Sequence, residues 1–178
     1  MLEKYSSALV TGGLGFVGRH LVQVLLSQGK NVTVLDSGTT AYQTAAPTGA
    51  TVVRADIREA KQLVSVLQHI DIVFHLAANA NGSVSVLDPR FDFETNAVGT
   101  FNMLEAATAA NVKRFYYMSS ASVYGVPQYT PMDELHPTRP IVPYGATKLA
   151  GELLALSFWR SKGLPVVAGR PFCIYGPR

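Results

Sequence analysis

The stretch Thr11-Gly12-Gly13-Leu14-Gly15-Phe16-Val17-Gly18 constrains the fold of this 178-residue chain more than any other. It packs four glycines between a β-rich run, Ser6 to Val10, and a helical pattern, Gly15 to Gln28. In that pattern Val17, Leu21, Val24 and Leu25 share one face. A strand that turns so sharply into an amphipathic helix belongs to a sheet with that helix packed on it. Glycines also let the backbone approach a ligand closely, and the unbonded N–H groups at a helix start attract an anion.

The rest of the chain repeats the alternation. Gly29 closes the first helix before a strand over Asn31 to Leu35, and Thr39 to Gly49, with Pro47, reads as a loop. A short third strand, Thr51 to Arg54, precedes a helix expected from about Arg58 to His69. Ile70 to Leu76 is a fourth strand whose continuous apolar run suits a parallel sheet covered on both faces. Asp88 and Pro89 suit the N-cap and first position of a long helix to about Ala110. A fifth strand, Arg114 to Met118, leads through a long loop holding Pro127, Pro131, Pro137, Pro140 and Pro143 to a helix that carries Tyr144 and Lys148 and extends to about Lys162. Pro165 to Ala168 is the sixth strand. Alternation with right-handed crossovers predicts one α/β domain over 1–178: a doubly wound parallel sheet of about six strands with helices on both faces, of Rossmann type.

Composition removes several classes of function. With 48% hydrophobic and 15% charged residues the chain is globular, and its net charge of +3 comes from scattered basic residues. Nothing here resembles a nucleic-acid surface. Cys173 is the sole cysteine, so no intrachain disulfide forms, which fits a reducing compartment. Met1 to Tyr5 lacks a signal-peptide layout and no apolar run is of membrane-spanning length, so the expectation is a cytoplasmic protein without membrane contact. His20, His69, His75 and His136 are dispersed without ligand spacing, and no metal site is expected.

Two features suggest redox chemistry. The glycine turn reads in either of two registers, Gly12-Gly15-Gly18 or Gly13-Gly15-Gly18, and is followed by Asp36 at the end of the second strand. A carboxylate there accepts both adenosine ribose hydroxyls and repels a 2′-phosphate, which predicts NAD as the cofactor. The alternative for Asp36 is an ordinary turn residue. Separately, Tyr144 stands one helical turn before Lys148. A cation so placed favours the phenolate, so the pair can supply a general base. Tyr and Lys at this spacing also recur on plain solvated helices.

These motifs, taken together, resemble the extended short-chain dehydrogenase/reductase family of NAD-dependent nucleotide-sugar epimerases and dehydratases. The resemblance covers the whole chain. It implies that Gly12, Gly15, Phe16 and Val17 hold the pyrophosphate, and that Asp56 meets the adenine amino group while Ile57 packs on its ring. His75-Leu76-Ala77-Ala78 is similar to the fourth-strand ending beside the cofactor, which assigns Leu76, Ala77 and Ala78 to that site. Ser85-Val86-x-Asp88-Pro89, Phe91-Asp92-Phe93-Glu94-Thr95-Asn96 and Gly99-Thr100 resemble the family's long helix, with Asn96 as polar anchor. Ser119-Ser120-Ala121-Ser122-Val123-Tyr124-Gly125 looks like the catalytic loop, and Phe172 falls in the segment that approaches the nicotinamide.

The resemblance further implies roles. Tyr144 removes a proton from a sugar hydroxyl as hydride leaves its carbon, Lys148 holds the nicotinamide ribose, and Ser120 hydrogen-bonds the reacting oxygen. Dehydratases of the family have an acidic residue in the serine loop, where this chain has Ala121 and Ser122, so a UDP-hexose 4-epimerase fits better. Ser83 and Val84 stand where members often have a basic residue, and Cys173 where they often have Asn. Members continue past this chain's last residue into a C-terminal lobe that holds most of the nucleotide-sugar, so the expectation is a cofactor-binding half without that lobe. A non-catalytic NAD-binding module, a dehydratase of the same family, and a dehydrogenase or reductase for another alcohol are the competing readings. The helices at 89–110 and 144–162 are expected to form a homodimer contact, with Phe101, Leu104, Leu153, Leu156, Phe158 and Trp159 as candidates.

Overall fold

The computed structural model describes residues 4–39 and 46–177, so most of the loop expected over 39–49 lies outside the described residues, as does Arg178. Six strands form one parallel sheet: β1 (Ser7–Thr11), β2 (Asn31–Asp36), β3 (Thr51–Arg54), β4 (Ile72–His75), β5 (Arg114–Met118) and β6 (Val166–Gly169). Their spatial order is β3-β2-β1-β4-β5-β6, and every neighbouring pair is parallel. The order reverses between β1 and β4, the place where such sheets open a crevice at their carboxyl ends.

The period of two along the strands builds two cores. Ala8 and Val10 of β1, Val32 and Val34 of β2 and Ile72 of β4 point to one face, where Val22 and Leu25 of α1 (Phe16–Ser27) cover them. Leu9, Leu35, Val73, Phe115 and Tyr117 point to the other face. There they meet Met103 and Leu104 of α5 (Gly99–Ala109) and Ala155 of α6 (Pro143–Lys162). The remaining helices are α2 (Leu63–Val66), α3 (Gly82–Leu87) and α4 (Pro89–Phe93).

Three sequence expectations need correction. The helix expected over about 58–69 is a 3₁₀ turn, Ala60–Gln62, followed by one α turn, α2. Asp56 holds the chain in a turn until residue 59, accepting from Arg58 N at 2.9 Å, and His69 leaves the helix with φ of 65°. The long helix over 89–110 contains a π turn at Glu94–Val98 that separates α4 from α5. Finally, Ser85 and Val86 belong not to that helix but to α3, whose N-cap Asn81 accepts from Ser83 N and Val84 N. Asp88 then caps α4 through Phe91 N, with Pro89 at its start, as the sequence indicated. Elsewhere strand ends shift by one or two residues.

Candidate functional site

The glycine turn sits at the carboxyl end of β1. Gly12 has φ of 67°, and a β-carbon there would press on the Ala77 backbone at 2.9 Å. A β-carbon on Gly18 would collide with the Gly12 carbonyl and approach Gly13 Cα to 2.7 Å, so α1 can close onto the turn only with glycine at 18. Gly15 is the N-cap of α1 and provides no side-chain cap. The first-turn amides of Phe16, Val17 and Gly18 therefore face outward without intrahelical carbonyl partners, the arrangement that binds a phosphate. Thr11 ties this turn to the end of β4: its hydroxyl oxygen accepts from Leu76 N (3.1 Å) and Ala77 N (3.0 Å). Leu76, Ala77 and Ala78 are partly buried along the same edge.

Asp36 is buried at the end of β2. Its carboxylate accepts from Leu14 N at 3.0 Å and Gly38 N at 2.8 Å, which locks the glycine turn to β2. Each oxygen keeps a lone pair for a further donor. The Asp56 carboxylate is turned onto Arg58 at 2.7 Å, and that guanidinium holds it below the usual carboxylate range against the cost of burial. Ile57 is only 5% exposed and packs against Gly99, so its side chain is a core residue at the rim of the crevice.

On the other side of the crevice, α6 starts against the serine loop. A β-carbon on Gly145 would meet the Ser122 carbonyl at 2.5 Å, so glycine lets the first turn of α6 touch that loop. Ser120 caps a 3₁₀ turn over Ala121–Val123, accepting from Ser122 N at 3.1 Å, and its hydroxyl proton stays available. Ser119 is buried beside Glu152. Tyr144 is partly buried, and its amide donates to Ser85 Oγ at 3.0 Å.

Lys148, one turn on, is 3% exposed. The ion pairs among the described residues are Asp56–Arg58, Arg90–Glu94, Asp71–Lys113 and Glu152–Arg170, and Lys148 is in none. Its amine lies 4.5 Å from the centre of the Tyr117 ring, while the Tyr117 hydroxyl donates to the Lys148 carbonyl at 3.0 Å. Burial pulls the amine down to about 7, partly opposed by Asp92 and Glu152. A buried cation without a bonded acceptor is costly unless something else supplies one.

Asn96, on the π turn, is buried. Its side chain accepts from Asn79 N at 2.8 Å and donates to Asp92 at 3.0 Å and to the Asn79 carbonyl at 3.1 Å. It fixes the segment after β4 to the helix below. Phe172 is 57% exposed and stacks on Tyr124 at 6.5 Å. Its segment crosses the mouth of the sheet: Ala121 N donates to the Pro171 carbonyl, and His20 Nε2 contacts the Pro177 carbonyl.

The catalytic and cofactor-site candidates named from the sequence thus lie along the carboxyl edge of the sheet, although Asp56, Ile57 and Phe172 are engaged by protein neighbours. Apart from Asn96, sequence reading missed the polar frame beneath the crevice. His75, held neutral by burial at about 3, bridges Thr11 (2.8 Å) and Thr100 (3.1 Å). Thr100 gives its own proton to the Asn96 carbonyl, so His75 carries its proton on Nε2 and accepts from Thr11. Asp92 and Thr147 complete the frame. The available signal was a polar pair, Asp92 and Asn96, spaced i,i+4.

A family model described as the NAD dependent epimerase/dehydratase family matches residues 8–178. A putative UDP-glucose 4-epimerase of Methanocaldococcus jannaschii is 37% identical over 173 residues, covering 96% of this chain and 56% of that protein. The UDP-glucose 4-epimerase of Thermus thermophilus, solved in complex with NAD, superposes with a TM-score of 0.87 at 38% identity. That match covers 92% of this chain and 54% of the solved one. DesIV, a dTDP-glucose 4,6-dehydratase of Streptomyces venezuelae solved with NAD and TYD, gives 0.86 at 33% identity over 92% of this chain and 55% of its own. The chain spans about half the length of the relatives it matches. The crevice geometry and the match over almost the whole sequence agree: the chain belongs to the NAD-dependent epimerase/dehydratase family.

Proposed function

We propose that this chain binds NAD across the carboxyl edge of its sheet and supplies the proton-transfer residues of a nucleotide-sugar 4-epimerase acting on a UDP-hexose. The observation that carries the reading is Lys148: a buried amine with no bonded acceptor, one turn from Tyr144, beside a serine loop and across from a glycine turn with free amides. Those features fit NAD. Phe16, Val17 and Gly18 amides would take the pyrophosphate, Asp36 the adenosine ribose, and Lys148 the nicotinamide ribose. Leu76, Ala77, Ala78 and Asn96 would wall the cofactor between these ends, and Asp56, Ile57 and Phe172 would border it.

The chemistry that NAD would supply when bound is reversible hydride transfer at the sugar carbon, which allows inversion there. The chain handles the proton. Tyr144 takes the proton of the C4 hydroxyl and later gives it back to the carbonyl oxygen, acting as base and then acid. Ser120 donates a hydrogen bond to the same oxygen, and the Lys148 cation steadies negative charge on the phenolic oxygen. Ala121 and Ser122 leave the loop without an acid to eliminate water, which favours epimerisation over dehydration.

The test is to mix the protein with UDP-galactose and catalytic NAD. UDP-glucose should form without net NADH, and Tyr144→Phe should slow the reaction by about 10² to 10⁴. A folded, NAD-bound protein that gives no interconversion contradicts the epimerase reading, and steady NADH release favours a dehydrogenase.

We also infer a homodimer through the helices at 89–110 and 144–162. Leu104 is fully buried against the sheet and cannot contribute, and Phe158 packs on the core and edge-on to Phe101. Phe93, Leu153 and Trp159, all at least half exposed, offer the apolar contact. Light scattering at micromolar concentration should give twice the chain mass; a monomer overturns the inference.

A further inference from the structure

We propose that Arg170 is a positioning residue: it clamps α6 to the segment leaving β6 and so sets Tyr144, Lys148 and Phe172 against the crevice. What these groups are positioned for rests on the function proposed above, whereas the clamp is read from contacts alone.

Arg170 directly follows β6, and its side chain is 21% exposed. Its guanidinium reaches three segments at once. Nε donates to both carboxylate oxygens of Glu152, at 3.1 and 3.0 Å, and Nη2 donates to Oε1. Nη1 donates to the Glu134 carbonyl at 3.4 Å, in the proline-rich loop before α6. The central guanidinium carbon lies over the Tyr124 ring, 5.0 Å from its centre, and Phe172 stacks on that same ring. A planar fork makes these contacts together; a lysine ammonium keeps the charge but neither the fork nor the stacking.

Glu152 is 4% exposed and stands one turn beyond Lys148, itself one turn beyond Tyr144, so the three share one face of α6. Close steric contacts seat this helix at Gly145, against the Ser122 carbonyl, and at Gly151, against the Tyr117 hydroxyl. Among the described residues, Glu152–Arg170 is the only ion pair that α6 makes. The backbone on either side of Arg170 is tied to the serine loop. Ser119 N donates to the Gly169 carbonyl at 2.8 Å and Ala121 N to the Pro171 carbonyl at 2.9 Å. One side chain thus joins the helix of the proposed base, the serine loop and the segment that carries Phe172.

The test compares NAD with ADP. In the placement proposed above, ADP touches only the glycine turn and Asp36, whereas NAD also reaches Lys148. Arg170→Lys keeps the Glu152 charge balanced, and Arg170→Met with Glu152→Gln removes both charges, so neither strands a buried carboxylate. In both, ADP affinity should stay within about twofold while NAD affinity falls about tenfold, the scale of one charge-assisted hydrogen bond. Folded variants with an unchanged ratio of the two affinities overturn the proposal, because general loosening weakens both ligands alike. Failure of both variants to fold also overturns it, since the residue would then be purely structural. Amide exchange reads the clamp without ligand. Residues 119–125 and 134–141 should exchange about tenfold faster in the folded variants, with β1 and β2 as protected as before. Exchange unchanged there, or raised equally in β1 and β2, counts against the clamp in the same way. Unaltered protein that binds neither NAD nor ADP defeats the proposed function, and amide exchange then still decides the role of Arg170.

Discussion

Lys148 shows the conflict between stability and chemistry at the scale of one residue. Burial draws its amine to about 7, whereas an unfolded lysine titrates near 10.4. The unfolded chain therefore binds more protons across that interval, so Lys148 costs stability below about pH 7, and the cost fades as pH rises from 7 towards 10. Lys148→Met should accordingly stabilise the fold at pH 6 by an amount on the order of 2–4 kcal/mol and by much less at pH 10. Urea unfolding at the two pH values measures it. A variant equally stabilised, or destabilised, at both contradicts the burial of a charged amine. Native proteins keep such costs at sites that need them, which is why the pair reads as functional and not as a solvated face.

At the scale of elements, the glycine turn and α1 form a single device. The positive φ of Gly12 and the contact between Gly18 and the Gly12 carbonyl bring the helix start against β1, and Asp36 fastens the turn to β2. Gly18→Ala should push α1 off the turn, cost about 1–3 kcal/mol and weaken NAD binding at least tenfold. A urea melt and a cofactor titration check both, and an alanine variant indistinguishable from the parent refutes this use of the glycine. The strands, α1 and α6 were legible because short β-rich apolar runs alternate with longer helical patterns, and Gly29 marks the end of α1. The π turn was not, since its extra residue per turn changes no apolar periodicity that a short window can register. The helix over about 58–69 was drawn too long because Leu63 and Leu67 keep helical spacing through a segment that Asp56 and His69 cut short. The candidate site was legible as residue types at spacings. Of its polar frame only Asn96 was, because Thr11, His75, Asp92 and Thr147 join it only through tertiary folding.

At the scale of the whole molecule, the parallel order places the glycine turn, the β4 end, the serine loop and the start of α6 on one edge, and that edge is the cofactor crevice of the proposed reaction. The chain spans about half of the relatives it matches. The cofactor therefore comes first and the sugar second in any test of function. Isothermal titration of the folded protein with NAD is the most direct one. Saturable binding of one NAD per chain is the expected result, weakened at least tenfold by Lys148→Met although that variant is the more stable at pH 6. A folded protein that shows no heat of binding up to millimolar NAD contradicts the proposed cofactor site.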